Sequence, residues 1–330
     1  MTNDIFIVSE IGSVHDGSFG NASNLIDLAS DCGANCVKFQ THISDSETLP
    51  DSPNPNYFDN ESRFDYFNRT AFDLAQWKKL KAKADSCNVR FLSSPFSIDA
   101  VDLLEKVGVF GYKIPSGEVT NLPLLEKLAK IGKPVFLSSG MSTWIELDEA
   151  VEVLKNCDLT VMQCSSVYPC PSEQVGLNVI TEMKDRYKCR IGFSDHTIGL
   201  SAAISAVTLG ATVIEKHFTF SRKMYGSDAK HSMEPTEFAT FCSEVNNTWK
   251  MLDNPVDKNF IYNYKEMKKI FEKSIIAACN IPKGNKLKLN HLAFKKPGDG
   301  IPASKYKDVI GRVTSRGIKE NQKLSFKDFS

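Results

Sequence analysis

The segment RIGFSDHTIGLSAAISAVTLGATVIEKH, residues 190–217, contains one complete strand–helix–strand unit. A short apolar run over Arg190–Ser194 precedes an amphipathic stretch, Leu200–Leu209, and a β-branched run over Thr212–His217 follows it. Gly210 lies just after the apolar helical stretch, where a left-handed C-cap is favoured. This order of elements predicts a parallel βαβ unit.

The same alternation recurs from the start of the chain. Eight short runs predict strands: Ile5–Ser9, Cys36–Gln40, Val89–Ser94, Phe110–Ile114, Pro134–Ser139, Leu159–Cys164, Arg190–Ser194 and Thr212–His217. Amphipathic stretches between them predict helices: Asn21–Cys32, Leu74–Ser86, Ile98–Val107, Leu122–Ile131, Trp144–Asn156, Val175–Tyr187 and Leu200–Leu209. Eight such units predict an α/β fold, a closed (β/α)8 TIM barrel.

Composition changes after about Asn254, where short runs with glycine-containing turns replace the strand–helix rhythm. A TIM barrel holds roughly 250 residues as one unit, so the 330-residue chain has room for a small appendage. We predict a barrel domain over residues 1–262, a linker helix over 263–272 and a small β-rich domain over 273–330. The long polar connection from Thr41 to about Thr70 is predicted to cover a substrate.

Charge and cysteine content narrow the function classes. Forty basic and forty acidic residues give a formal net charge of zero, which argues against a broad nucleic-acid surface. No apolar run approaches the ~20 residues that span a bilayer, and the polar start Met1–Asp4 does not resemble a secretory signal. The nine cysteines are scattered and form no CxxC pair. This pattern favours a reducing compartment and argues against a zinc–thiolate site. We therefore expect a cytoplasmic protein with neither membrane nor nucleic acid as partner.

Polar side chains stand at the carboxyl ends of almost all the predicted strands. They are Glu10, Lys38, Gln40, Ser94, Lys113, Ser116, Glu118, Ser138, Ser139, Gln163, Ser165, Tyr168, Ser194, His196 and His217. TIM-barrel active sites lie at this end of the barrel. The pattern therefore predicts an active site there.

Lys38 and Lys113 are predicted to point into the same barrel mouth. A buried lysine is costly without an anionic partner, so a compact anion such as a phosphorylated carboxylate would fit between them. Serine hydroxyls and the N–H groups at helix starts would complete a phosphate site. The alternative is a salt bridge from each lysine to a barrel glutamate, for which Glu10 and Glu118 are the candidates.

His196 and His217 end two neighbouring predicted strands, so both could bind one metal ion. Glu10 and Asp228 could support them. A nitrogen-and-oxygen site without thiolates suits Mn²⁺, Mg²⁺ or Co²⁺. The alternative is that each histidine is a neutral, hydrogen-bonded core residue.

Taken together, these motifs resemble the sialic acid synthase family, which includes N-acetylneuraminate synthase and its legionaminate and pseudaminate relatives. Between residues 9 and 235, the matching segments are SEIGSVHDG, VKFQTH, FLSSPF, YKIPSGE, LSSGM, SSVYPCP, GFSDHTIG, IEKHFT and GSDAKHSMEP. The tail, from IPKG at residue 281 through FKKPGDGI at 294–301, resembles that family's C-terminal antifreeze-like (SAF, β-clip) domain.

The resemblance implies a transferase that condenses phosphoenolpyruvate with N-acetylmannosamine or a related N-acyl hexose, with C–O cleavage and phosphate release. It implies metal binding, with Mn²⁺ favoured, by His196 and His217. It implies substrate binding by Lys38, Ser94, Lys113, Ser116, Ser166, Tyr168, Ser194 and Lys296, and catalytic roles for Glu10, Gln40, Glu118 and Asp228. A homodimer is also implied, in which each SAF domain covers the partner's site.

Three positions depart from the family pattern. Val14 replaces an asparagine and removes a polar contact. Lys296 replaces an arginine in the SAF domain, which keeps the charge but loses the planar fork. Ser227 replaces a proline in the last motif, a change in loop stiffness.

Three other functions remain open from the sequence. The acceptor could be a 2,4-diacetamido-trideoxyhexose, which would make the enzyme a legionaminate or pseudaminate synthase. A pyruvate lyase would instead use Lys113 or Lys216 as a Schiff-base nucleophile. A non-catalytic carbohydrate-binding protein would use the SAF-like domain as its binding module.

Overall fold

A computed structural model describes residues 5–54, 61–260 and 262–330 of the chain. Eight parallel strands close into a barrel in sequence order, which confirms the predicted (β/α)8 TIM fold. The strands are β1 (Phe6–Gly12), β2 (Cys36–Thr41), β3 (Arg90–Pro95), β4 (Gly111–Ile114), β5 (Val135–Ser138), β6 (Leu159–Cys164), β7 (Arg190–Asp195) and β8 (Val213–His217).

The barrel interior changes from apolar to polar along the strands. One buried apolar cluster crosses the barrel and consists of Val8, Cys36, Leu92, Phe136, Met162 and Val213. Side chains of a strand alternate between its two faces, so the next residue on the same face comes two positions later. Those next residues are Glu10, Lys38, Ser94, Ser138, Cys164 and Glu215. The apolar layer is therefore the floor of the polar site above it.

Helices follow the strands, and most of them bury their apolar faces against the outside of the barrel. They are α1 (Phe19–Asp31), α2 (Ser44–Glu47), α3 (Arg63–Thr70), α4 (Leu74–Ser86), α5 (Ile98–Val107), α6 (Leu122–Ile131), α7 (Trp144–Leu154), α8 (Asn178–Tyr187), α9 (Ser201–Thr208) and α10 (Pro235–Asp253). The sequence analysis missed α10. Its apolar spacing at Phe238, Phe241, Cys242 and Val245 is the signal that would have identified it.

The long connection after β2 contains the short helices α2 and α3. Its residues 55–60 lie outside the described residues. Arg63 and Phe67 of α3 line a cavity at the barrel mouth, as expected of a segment that covers a substrate.

The chain divides into two compact units, Met1–Asn254 and Pro255–Ser330, whereas the predicted barrel domain ends at residue 262. The second unit begins with α11 (Lys265–Phe271), which falls on the predicted linker helix. Strand β9 (Ser274–Ala277) pairs antiparallel with β10 (Leu292–Lys295), and the short helix α12 (Tyr306–Val309) follows. A separate apolar cluster, which includes Ile275 and Leu324, forms its core. The predicted small β-rich domain is confirmed.

The two units carry opposite formal charges. Residues 255–330 contain 17 basic and 7 acidic side chains, whereas residues 1–254 contain 23 basic and 33 acidic ones. The net charge of zero is thus an average over two different units. No helix among the described residues is long and apolar enough to cross a membrane.

Candidate active site

A cavity of about 290 Å³ lies at the carboxyl ends of the barrel strands. It brings together most of the residues that the sequence analysis singled out. Those lining it are Glu10, Lys38, Gln40, Ser94, Lys113, Ser116, Ser166, Tyr168, Ser194, His196, His217 and Asp228. Residues far apart in the sequence thus share one site, as the fold predicts.

Two lysines and two glutamates form a buried ionic cluster in this cavity. Glu215 Oε1 lies 2.6 Å from Lys113 Nζ and 3.5 Å from Lys38 Nζ. Glu10 Oε1 lies 3.0 Å from Lys38 Nζ. The Ser194 hydroxyl donates to Glu215 Oε1 at 3.0 Å. We call Lys38, Lys113, Glu10 and Glu215 the mouth cluster.

The mouth cluster corrects one prediction. A salt bridge to Glu10 is confirmed for Lys38, but the proposed role of Glu118 as a lysine partner is wrong. Glu118 instead accepts a hydrogen bond from Asn121 Nδ2 at 2.8 Å and does not line the cavity. Glu215 is the second carboxylate, and its position two residues before His217 on the same strand face is the signal that the sequence offered.

The pKa values of Glu10 and Glu215 are shifted in opposite directions. Burial raises the pKa of Glu10, and the charge of Glu215 adds to that rise against the opposing effect of Lys38. Burial also opposes ionisation of Glu215, but Lys113 and Lys38 hold its pKa well below the usual range. Protonation of Glu10 would leave two lysines facing one carboxylate. The cluster can thereby attract an anion.

Unsatisfied atoms mark the mouth cluster as a binding site. Among the described residues, Glu10 Oε2 and Glu215 Oε2 are buried and have no hydrogen-bond partner. Burial lowers the pKa of Lys113, although Glu215 opposes that effect. Buried polar atoms without partners are rare in folded proteins. Both atoms are carboxyl oxygens, so hydrogen-bond donors such as hydroxyl groups or water would satisfy them.

His196 and His217 lie side by side, with their ring centroids 5.4 Å apart. His196 Nδ1 is 2.6 Å from the carbonyl oxygen of Ser165. A carbonyl oxygen can only accept, so Nδ1 carries the proton and Nε2 of neutral His196 presents a lone pair. Tyr168 packs against this ring at a centroid distance of 4.1 Å.

His217 also presents a free nitrogen to the site. Its Nδ1 is buried without a hydrogen-bond partner, and burial lowers the pKa of the imidazole to about 3, so the ring is neutral. Burial opposes protonation of His196, but the charge of the neighbouring Cys164 raises its pKa overall. A metal ion would therefore displace a proton from Nε2 of His196, after which both imidazoles offer a nitrogen to a divalent ion. Within the described ranges no three His, Cys, Asp or Glu side chains cluster closely enough to hold an ion. The two histidines are therefore the donors that this site offers.

Glycines at two positions let polar groups come together. A Cβ added to Gly12, which has φ +54°, would lie 2.9 Å from Asp228 Oδ2 and 3.2 Å from Gln40 Nε2. At Gly140, a Cβ would lie 2.5 Å from the hydroxyl oxygens of both Ser116 and Ser166. Side chains at either position would push these groups out of place.

Cys164 is a cavity residue that the sequence analysis did not identify. Its thiol lies 3.9 Å from His196 Nδ1 and 3.7 Å from the Ser116 hydroxyl. Burial opposes its ionisation, but the neighbouring His196 and Lys113 lower its pKa to about 7. The inward position two residues after Met162 was the available signal.

Lys216 lies on the opposite face of β8 from Glu215 and His217. Its ammonium is 2.8 Å from Asp195 Oδ2 and donates to the carbonyl oxygens of Thr197 and Gly199 at 2.5 and 3.3 Å. We call Lys216 and Asp195 the outer pair. The suggestion that Lys216 acts as a Schiff-base nucleophile is therefore wrong, because it does not line the cavity.

Lys296 belongs to the second unit. It is exposed, and its ammonium lies 4.8 Å from the centre of the Phe271 ring. Its contact with the acyl group of a sugar stays a prediction.

Comparison with known proteins agrees with this geometry. A family model described as NeuB family matches residues 25–257, and one described as SAF domain matches residues 272–330. The chain is 36% identical to N,N'-diacetyllegionaminic acid synthase of Campylobacter jejuni over 326 residues, which are 96% of this chain and 97% of the relative. Human N-acetylneuraminate-9-phosphate synthase is 30% identical, with 97% of this chain and 91% of the relative covered.

A solved structure supports the same assignment. The N-acetylneuraminic acid (sialic acid) synthetase of Leptospira borgpetersenii, crystallised with citrate, superposes with a TM-score of 0.70 at 30% identity. The match covers 80% of this chain and 90% of that one. The chain therefore belongs to the NeuB family, is an enzyme of the sialic acid synthase type, and carries a SAF domain at residues 272–330.

Proposed function

We propose that this enzyme condenses phosphoenolpyruvate with the open-chain form of an N-acyl hexose and releases phosphate by C–O cleavage. The mouth cluster is the observation that supports the proposal most directly. It places two buried lysine ammonium groups at the floor of a cavity, where they can donate to the oxygens of an anion. A small anion with several oxygens matches this arrangement.

Phosphoenolpyruvate would lie over the mouth cluster. Lys38 and Lys113 would face its carboxylate and phosphate oxygens, and the hydroxyls of Ser94, Ser116 and Ser166 line the same cavity. Ser194 holds Glu215 in place through its hydrogen bond. These contacts offset the ligand's charge and orient it for attack.

The bonds and protons of the reaction balance without a redox partner. Carbon 3 of phosphoenolpyruvate attacks the aldehyde carbon of the sugar, and the aldehyde oxygen takes up a proton. Water adds to carbon 2 and loses a proton to a base. The bond between carbon 2 and the phosphate oxygen then breaks while the new carbon 2 hydroxyl gives up its proton to the departing phosphate, which leaves a 2-keto acid. Glu10, with its raised pKa, is suited to carry one of these protons, and Gln40 and Asp228 line the same side of the cavity.

A divalent ion, with Mn²⁺ favoured over Mg²⁺ or Co²⁺, would bind to His196 and His217 and supply Lewis-acid polarisation of the aldehyde. The Ser165 carbonyl oxygen keeps the proton of His196 on Nδ1 and so leaves Nε2 free. Tyr168 packs against His196 and limits its rotation. These two contacts thus orient the ring before any ligand arrives.

The acceptor is N-acetylmannosamine or a 2,4-diacetamido-trideoxyhexose. Phe67, Phe96 and Met141 contribute apolar surface to the lining of the cavity. Apolar surface favours acetamido methyl groups and a C6 methyl over hydroxyls. The 36% identity to the N,N'-diacetyllegionaminic acid synthase of Campylobacter jejuni also supports the diacetamido hexose. A pseudaminate-type product would need the same class of acceptor.

We also propose a homodimer in which the SAF domain of one copy covers the site of the other and Lys296 contacts the sugar's acyl group. The resemblance to the family supports this arrangement. The excess of basic residues in the SAF unit and of acidic residues in the barrel unit supports it as well, because opposite charges favour association. Sedimentation should give a dimer, and Lys296→Ala should raise the KM of the sugar more than that of phosphoenolpyruvate.

The test is phosphate release from phosphoenolpyruvate by chelator-stripped protein, with and without Mn²⁺, offered N-acetylmannosamine and then 2,4-diacetamido hexoses. We expect release that depends on both the metal and a sugar, and that is faster with a diacetamido hexose. Metal binding is checked separately by calorimetry on the protein and its His217→Ala variant. Folded protein that releases no phosphate with any of these sugars would contradict the proposal.

A further inference from the structure

His42 occupies an unusual position beside the active site. Its imidazole is stacked between two phenylalanine rings, with centroid distances of 3.5 Å to Phe67 and 4.1 Å to Phe96. Both contacts are nearly parallel, at 15° and 18°. The ring is buried, and the two stacked phenylalanines block its rotation about the Cβ–Cγ bond. Its two nitrogens therefore have fixed directions.

Each nitrogen of His42 faces a defined oxygen. Nδ1 lies 2.7 Å from Glu47 Oε1, and Nε2 lies 3.3 Å from Gln40 Oε1. Gln40 in turn donates from Nε2 to Glu10 Oε1 at 2.9 Å. Glu47 is the last residue of α2 and lies close to the end of β2. Its other oxygen, Oε2, accepts from the backbone N–H of Ile43 at 3.2 Å. A chain of hydrogen bonds thus runs from α2 to the mouth cluster.

The donors and acceptors in this chain fix the location of a proton. The Gln40 amide nitrogen faces a carboxylate, so its oxygen faces His42 and needs a donor there. Nε2 of His42 must therefore carry a hydrogen. In a neutral ring Nδ1 would then have only a lone pair, and it faces an oxygen of Glu47 at 2.7 Å. Two acceptors at that distance repel each other unless a proton lies between them.

We propose that His42 and Glu47 share a proton and act as a positioning pair, which fixes the amide of Gln40 and, through it, the orientation of Glu10 in the active site. The pair includes no residue of the mouth cluster. Its effect on turnover rests on the proposed function, whereas the shared proton does not.

The arrangement has a direct consequence for Glu10. Gln40 and Lys38 both donate to Oε1 of Glu10, which leaves Oε2 as the oxygen without a partner. If Gln40 turned its amide over, its oxygen would face Oε1 and this contact would be lost. The hydrogen on Nε2 of His42 opposes that rotation, and the proton shared between Nδ1 and Glu47 lets the ring keep it.

The charged groups around His42 come from four parts of the barrel unit. Glu47 of α2 favours a protonated ring, and Asp228 of the last loop acts in the same direction. Arg63 of α3 opposes protonation, and the neighbouring His15 is also close enough to interact. Burial is the largest effect of all and leaves the pKa of His42 lowered overall, so the shared proton is inferred from the 2.7 Å contact with Glu47 and the orientation of Gln40. A change in any of these groups would alter how firmly the pair holds its proton.

Nuclear magnetic resonance tests the shared proton without reference to catalysis. The sample is the full-length protein labelled with ¹⁵N at histidine, and His42 is assigned from a His42→Phe variant. We expect a low-field proton resonance on Nδ1 of His42 and a second proton on Nε2. Glu47→Gln should remove the low-field resonance, because an amide can donate to Nδ1 without an added proton. A wild-type spectrum in which Nδ1 carries no proton signal would overturn the proposal.

Kinetics test the positioning role. His42→Phe preserves the stack between Phe67 and Phe96 but removes both hydrogen bonds, and we expect kcat for phosphate release to fall about 10- to 100-fold. Glu47→Gln should lower kcat less and shift its pH profile. The KM of phosphoenolpyruvate should stay within about twofold, since Lys38 and Lys113 are unchanged.

Asp45→Asn is the matched control, since Asp45 is an exposed acid on the same short helix. It should leave kcat, KM and the low-field resonance unchanged. Equal kcat values for the wild type and His42→Phe, with both proteins folded, would reduce His42 to a packing residue and overturn the positioning role. If no variant or wild type releases phosphate, the proposed function fails, and the resonance still decides whether the proton is shared.

Discussion

The barrel buries two groups of lysines with carboxylates, and they differ in one respect. In the outer pair, Lys216 donates to Asp195 and to two backbone carbonyl oxygens, and the second oxygen of Asp195 accepts from the Thr197 N–H at 2.8 Å. In the mouth cluster, Glu10 Oε2 and Glu215 Oε2 have no partner. The outer pair is complete in itself, whereas the mouth cluster is not.

The outer pair and the mouth cluster are chemically similar, but the first has a structural role and the second a functional one. Buried charges are stable when every polar atom has a partner, as in the outer pair. The outer pair ties the loop that follows β7 to β8, and His196 begins that loop. The mouth cluster leaves buried atoms unpaired in a cavity where a ligand can reach them. Ser9 Oγ and Thr160 Oγ1 are also buried without partners, but neither residue lines the cavity. Incomplete hydrogen bonding therefore identifies the catalytic group only together with a position in the cavity.

Lys113→Met should have the largest effect on activity. The variant removes the ammonium that lies 2.6 Å from Glu215 but leaves Lys38 to balance that carboxylate. We expect kcat/KM for phosphate release to fall by about 10²–10³-fold, with the protein still folded by circular dichroism. Lys130→Met, at an exposed position of α6, is the control and should keep its activity. A near-normal rate in Lys113→Met would remove the mouth cluster from the mechanism.

Lys216→Met should have the largest effect on stability. It leaves the buried carboxylate of Asp195 without a counter-charge, which costs about 3–5 kcal/mol of unfolding free energy. Urea denaturation measures the loss. A double variant, Lys216→Met with Asp195→Leu, should recover part of it, because no charge then remains unpaired. Destabilisation below about 1 kcal/mol in the single variant would show that the outer pair does not need its lysine.

Gly140→Ala tests the two serines that line the cavity beside the mouth cluster. The added methyl would lie 2.5 Å from the hydroxyls of Ser116 and Ser166, so both serines must turn away from their present positions. We expect the KM of phosphoenolpyruvate to rise about tenfold, the equivalent of one or two hydrogen bonds, with little change in melting temperature. Gly20→Ala is the control, because Gly20 does not line the cavity and its added carbon would meet only Ser18 Oγ at 3.9 Å. Equal KM values for the two variants would exclude these serines from substrate binding.

Much of the fold could be predicted because local patterns encode it. The predicted helices Leu74–Ser86, Ile98–Val107 and Leu122–Ile131 coincide with α4, α5 and α6, each of which has an amphipathic period and a side-chain N-cap. Strand ends were placed within a few residues, because apolar runs mark them. Whole-chain charge was less informative, since it averages an acidic barrel unit and a basic SAF unit.

The site could be predicted in outline but not in its pairings. Strand ends identified Lys38, Lys113 and the two histidines, because TIM barrels place function there. The choice of Glu215 over Glu118 as the partner of Lys113 depends on which side chains meet across the closed barrel. That meeting is a tertiary property, set by the stagger of β4 and β8 on opposite sides of the interior. Local sequence contains no direct signal for it.

An exposed ion pair should contribute less to the unfolding free energy than either buried group. Lys81 and Asp85 lie one turn apart on α4, with 2.6 Å between Nζ and Oδ2, yet the Asp85 side chain is 60% exposed. Water screens the charges, and the lysine precedes the acid, which is the weaker order along a helix. Lys81→Ala should change the unfolding free energy by less than about 0.5 kcal/mol, measured by the same urea titration as Lys216→Met. A loss as large as that of Lys216→Met would mean that burial does not distinguish the outer pair from ordinary surface pairs.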